Sequence, residues 1–313
     1  MRSLTVVTIL AAGFLRAQSN IETLEKQAHE FEAQRQFDSA QEKLDAALKL
    51  TEQRFGNQSA EYGLCLLQLG DLGRKIHTKV ASTEAAAYYT RAVRLLPNRA
   101  EAANAFLYLG ILALGKKDYK HAGEQLQRAQ TLDVNLAGPA SMWMALMHER
   151  QDQAEEAEGL YKSAMAAGGS NTLEQLEPST LYARFLQQHG RDDEAQSLIQ
   201  NTFHPALPKV ENPRPGSGSY RVGGGVSQPK LTYKVDPPYS EEARIAKISG
   251  TTLLQIIVDT DGQAKNIKVM KSIGFGLDDC AIATILKWQF SPGEKNGSPV
   301  AVYATVEINF RLL

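Results

Sequence analysis

Six histidines, two cysteines and a close pair of aspartates are the residues whose chemistry matters first. His29, His77, His121, His148, His189 and His204 would need a shared face, such as His-x-x-x-His on a helix, to grip a metal ion. No two of them have that spacing, so they read as solvated or locally bonded residues of helices. Cys65 and Cys280 are too few for a disulfide framework, and each reads as a small buried apolar group. No Gly-x-Ser-x-Gly or Cys–His nucleophile signature is present. Asp259 and Asp261 flank a turn, where Asp is favoured anyway, and a calcium or acid–base site would need more ligands than that loop supplies. Gly223 to Gly225 lacks the lysine and the following helix of a phosphate loop. The chain therefore reads as a non-enzyme with no cofactor and no metal.

Binding is the remaining chemistry, and charge narrows it. Lys+Arg 34 against Asp+Glu 35 leaves a net charge of −1, which gives no bulk attraction to nucleic acid. The 313 residues are enough for two domains. Residues 1–19 place Arg2 before an apolar run, Leu4 to Leu15, and then Ala17. That order reads as a secretory signal peptide, with retention as an N-terminal anchor as the alternative. The run is shorter than the ~20 residues of a membrane span. Export is therefore expected, to a compartment outside the cytoplasm, either free or held at the membrane through residues 4–15.

From 20 to 204 one pattern recurs, a small residue, an aliphatic or Tyr four on, and a small residue three further. It appears as Ala40-Leu44-Ala47, Ala85-Tyr89-Ala92, Ala122-Leu126-Ala129, Ala157-Tyr161-Ala164 and, more weakly, Ala195-Ile199-Thr202. These positions share one helix face. Before each copy lies a second helical segment with a small residue at the crossing: Ala28, Gly70, Gly110, Ala145 and Ala183. Such residues let two helix backbones approach. The pattern resembles the tetratricopeptide (TPR) repeat, in about five units. The second unit needs extra residues around Lys75 to Ser82. The resemblance implies an α-solenoid whose concave groove holds a second protein or peptide.

Residues 205–229, rich in Pro, Gly and Ser, read as a linker. Residues 230–313 read as a small α+β unit: a helix from Ser240 to Lys247, a hairpin turning at Asp261-Gly262, a helix from Leu277 to Trp288, and a last strand. In that strand Val300, Val302, Ala304, Val306, Ile308 and Phe310 alternate with Ala301, Tyr303, Thr305, Glu307 and Asn309. The fold class is thus multidomain, a TPR-like α-solenoid followed by α+β.

The terminal unit carries Pro238-Tyr239, Ala243, Gly250, the turn Val258 to Gly262, Leu277-Asp278, Trp288 to Pro292 and Gly297 to Val300 in that order. It resembles the C-terminal domain of the TonB energy-transducer family, with Ser240 standing where that family usually has a proline. The resemblance implies that an extended peptide of an outer-membrane transporter, or of another envelope protein, adds as a strand beside Tyr303, Ala304, Thr305, Val306, Glu307, Ile308, Asn309, Phe310 and Arg311. The competing reading is that these residues only complete the sheet, or pair in a homodimer. Trp288 and Phe290 read as core. An alternative function is a membrane-anchored transducer working with an ExbB/ExbD-type motor. The run from Leu4 to Leu15 has no ionisable group to couple to proton flow, which favours the exported adaptor.

Overall fold

The computed structural model describes residues 20–168, 172–202 and 218–312. The expected signal peptide or anchor, His204 and the Pro-rich part of the linker lie outside the described residues. The chain divides into two compact units, 1–140 and 141–313. Among the described residues no helix is long and apolar enough to cross a membrane.

In the first unit the helices run in pairs: α1 (20–33) with α2 (Phe37–Phe55), α3 (Ala60–Ile76) with α4 (Lys79–Leu95), and α5 (Ala103–Gly115) with α6 (Tyr119–Leu132). The small residues do what their size allows. A Cβ at Gly70 would lie 2.5 Å from the Tyr89 ring, and one at Gly110 would lie 2.8 Å from Leu126. All nine positions of the first three copies of the repeat pattern are buried. Tyr89 packs edge-on against Tyr108, centroids 5.6 Å apart, and donates its hydroxyl proton to Asp71. The extra residues of the second repeat do not form a loop. They lengthen α3 and α4 to 17 residues each, joined through His77 and Thr78.

The turns inside the pairs repeat as well. Arg35, His77, Lys117, Asp152 and Gly190 all have positive φ. In four of these turns the next amide reaches back five residues: Gln36 to Phe31, Asp118 to Ala113, Gln153 to His148 and Arg191 to Leu186. That bond closes the preceding helix by occupying a carbonyl that has no partner within it.

The second unit begins with four helices, α7 (Ala137–Glu149), α8 (Ala154–Ala167), α9 (Thr172–Gln188) and α10 (Asp192–Thr202). Ala157, Tyr161 and Ala164 are buried, and Tyr161 stacks on Tyr182 and packs on Phe185. The fifth copy departs from the pattern, because Ile199 is 37% exposed at the edge of its helix pair.

The sheet follows. Its strands are β1 (Ser219–Tyr220), β3 (Gly250–Val258), β4 (Ala264–Lys271), β6 (Gly293–Lys295) and β7 (Ser298–Phe310), while β2 (Lys230–Tyr233) and β5 (Gln289–Ser291) form a separate pair. The order is β1-β7-β3-β4, with β6 also on β7. Helices α11 (Glu241–Ala246) and α12 (Leu277–Ile285) complete the layer. Thr252, Leu254, Ile256 and Val258 on β3 oppose Ile308, Val306, Ala304 and Val302 on β7, and this face forms the core. Helix α12 is three residues shorter than the sequence pattern predicts. The chain after Leu286 turns to start β5, and the Phe290 amide donates to the Gly262 carbonyl at 3.0 Å. A side chain at Gly262 would meet that Phe290 carbonyl at 2.1 Å, so β5 buttresses the hairpin turn. Trp288 is buried and donates Nε1–H to the Val235 carbonyl, whereas Phe290 is only half-buried.

The candidate peptide-binding edge

β7 is placed by its alternation. Its apolar face must lie against the helices, and the nine register pairs from Gly250–Phe310 to Val258–Val302 then fix β3 along one flank. On the opposite flank, β1 runs parallel to β7 and pairs only at Ala301 and Val302. Gly223, Gly224 and Gly225, all at positive φ, then turn the chain away, and Val226 bridges to Lys295. The Tyr220 ring sits under the Lys295 ammonium at 4.4 Å, which pins β1 at the start of the edge. Beyond Val302 no strand among the described residues pairs with β7 on that flank. Among the described residues, Tyr303 to Phe310 therefore have no strand partner there, and every second residue turns its main-chain groups to that flank.

Of the nine residues expected from the sequence, Tyr303 to Phe310 lie on β7. Arg311 lies just past the end of β7 and is exposed. Thr305, Glu307 and Asn309 point to solvent; Ile308 and Phe310 are buried in the core, and Ala304 and Val306 are half-buried. Thr251 Oγ1 donates to Asn309 Oδ1 at 2.5 Å across the β3–β7 ladder, so that side chain is already engaged.

The other edge of the same sheet is built differently. β4 presents exposed Lys265, Lys268 and Lys271, and its register to β3 is broken by irregularities. Charged side chains and irregular register discourage a foreign strand. Lys265 contacts the carboxylates of Asp259 and Asp261. That ammonium holds Asp259 below the usual carboxylate range; Asp261 is lowered first by the Gln263 amide and then by Lys265. The Asp pair is therefore the anchor of a turn. Among the described residues no group of three His, Cys, Asp or Glu could hold a metal ion.

The other chemistry-bearing residues are locally engaged. His121 pairs with Asp118, His148 Nδ1 with Gln153, and His189 Nδ1 with the Phe185 carbonyl. Cys65 and Cys280 are free and buried, and burial pushes their thiols up to about 11 and about 12. They are poor nucleophiles in that state. Ser240 does more than enter a helix. Its hydroxyl caps α11 by accepting from the Ala243 amide and donates to the Phe275 carbonyl at 2.5 Å.

The family model described as the Gram-negative bacterial TonB protein C-terminal matches residues 235–312, the span that holds this sheet. The terminal unit is a TonB C-terminal domain. A curated relative, Protein TonB of Vibrio cholerae serotype O1, is 33% identical over 109 residues, which cover 32% of this chain and 45% of that protein. The chain thus spans less than half the length of that relative. Solved structures similar to the chain include the crystal structure of MamA protein, at 18% identity and TM-score 0.44, covering 59% of this chain and 91% of that one. A thermophilic TPR protein in Thermus thermophilus has 18% identity and TM-score 0.43, covering 61% of this chain and 93% of that one. The TPR character of the array rests on its own helix pairs, their close-contact glycines and their repeated turns. TonB C-terminal domains and TPR arrays are both protein-interaction modules.

Proposed function

We propose that the chain is an exported envelope adaptor whose TonB-type domain takes an extended peptide of an outer-membrane transporter as an added strand along β7. The observation that supports this most is the unpaired flank from Tyr303 to Phe310, in a domain that matches the TonB C-terminal family. Each added main-chain hydrogen bond contributes about 1 kcal/mol net, so a handful gives modest affinity with little demand on side chains. Specificity comes from alternation: the guest sets apolar side chains beside Ala304 and Val306, and polar or basic ones beside Thr305 and Glu307. The TPR-type helices serve as a scaffold for a second protein. The periplasm is the compartment where such a transporter segment is met.

Cysteine scanning tests this reading. With Thr305→Cys or Glu307→Cys in the full chain, a single-cysteine library of the transporter's periplasm-facing segment gives disulfides that alternate along the segment. Equal crosslinking from Lys268→Cys on β4, or none from β7, contradicts it.

A further inference from the structure

The TonB-type domain is held by the last helices of its own array, and the contacts converge on one end of the β3–β4 hairpin. The sequence signal is α7. From Ala140 to Met147 it is buried on every face, which one partner helix does not explain. Trp143 packs edge-on against Phe275, with centroids 6.2 Å apart and planes at 89°. Phe275, at φ 53° between Gly274 and Gly276, is 2% exposed and gives its amide proton to Glu177 Oε1 at 2.5 Å. A Cβ at Gly274 would lie 2.9 Å from Glu177 Cγ, so the loop reaches that carboxylate only because Gly274 has no side chain. Arg184 Nη1 donates to the Ala246 carbonyl at 2.5 Å, and Arg150 donates to the Ile245 carbonyl. Those carbonyls close the end of α11, where a helix lacks partners and carries partial negative charge. Glu149 holds Arg184 from behind at 3.7 Å.

These contacts grip both feet of the hairpin. Ala246 stands four residues before Gly250, where β3 begins opposite Phe310, the last residue of β7. Phe275 stands four residues after Lys271, where β4 ends. Ser240 joins the two by bonding α11 to the Phe275 carbonyl. Every one of these contacts falls on α11 or the 274–276 loop, so the β7 flank is left open.

We propose that Trp143, Arg150, Glu177 and Arg184 form a latch that fixes the TonB-type domain to α7 and α9, so that a pull on β7 passes through β3 into those two helices. Closed, the sheet and these helices move as one piece; opened, the sheet moves independently of α7 and α9. The latch stands whether or not β7 takes a guest, so its test needs no peptide. Spin labels at Glu155→Cys on α8 and Lys268→Cys on β4 report the distance in the full chain, since Cys65 and Cys280 are buried. The wild-type background gives one narrow distance distribution, and R150A/E177A widens it about twofold or more. A narrow distribution in both overturns the latch. Should R150A/E177A fail to fold, E177Q keeps an acceptor but removes its charge, and the Phe275 amide exchanges about tenfold faster than in wild type. An unchanged exchange rate overturns the latch equally.

Discussion

The helical repeats and the β7 edge are specified by opposite means. In the repeats each helix satisfies its own main chain, and side chains decide the packing: Gly70 admits Tyr89, and Gly110 admits Leu126. Along β7 from Tyr303 to Phe310 the side chains have settled the register with β3, and the unpaired main chain is what remains for a partner. One region is specified by shape and is intolerant of volume change. The other is specified by backbone direction and tolerates most exposed side chains. The Lys-rich β4 edge shows that this sheet can close an edge when it does not offer one.

The largest effects should come from side chains in the repeats. Leu126→Ala removes a fully buried side chain packed against Gly110 and should cost about 3 kcal/mol, read as a fall in the denaturant midpoint without a change in slope. A change under about 1 kcal/mol would mean that the repeats are not shape-limited.

On β7 the backbone should dominate. Neighbouring strand residues send their amides to opposite flanks, so proline at Thr305 and at Val306 must give unlike results. One of the two breaks the β3 ladder and costs about 2–3 kcal/mol. The other spares the ladder and weakens guest binding about tenfold or more by calorimetry. Equal behaviour of the two variants would break the comparison.

Charge gives a third test, confined to the second unit. Arg191, Lys162 and Tyr182 hydrogen-bond Glu158, with Arg191 the strongest influence, and they lower its carboxyl to about 2. A lowered folded value means that this stability is present above pH 4.5, the group's ordinary value, and is lost as pH falls toward 2. Acid titration of the fold should show that loss, and Glu158→Gln should flatten it. Smaller still, Lys117→Gly relieves a positive φ of 62° and should raise stability by about 0.5–1 kcal/mol. The smallest effect is expected at the exposed β7 positions: Thr305→Ala and Glu307→Ala should each change stability by less than about 0.5 kcal/mol.

Much of this was legible in the residues, for reasons that differ along the chain. Ala85, Tyr89 and Ala92 repeat with a helical period, and Val302 to Phe310 with a period of two, so helix pairs and a terminal strand follow from local pattern. Ser240 as a helix cap was equally readable. The contacts gripping Phe275 and Ala246 were not, because Glu177 and Arg184 meet main-chain atoms, which carry no sequence signature. The apolar run Met142 to Met147 in α7 was their one trace. The end of α12 was missed because Trp288 is drawn to the Val235 carbonyl and the chain pairs with β2 from Gln289 onward, contacts set by distant residues. The free flank of β7 was expected only by resemblance, since alternation fixes which face is buried and not which edge is paired.

The most direct test of the account is the amide spectrum of the full chain, titrated with a synthetic peptide copying a transporter's periplasm-facing segment. The account predicts that every second amide between Tyr303 and Phe310 shifts and gains exchange protection, while Lys265, Lys268 and Lys271 on β4 stay unchanged. Peptide binding that leaves the β7 amides unmoved, or that protects β4 instead, would contradict it.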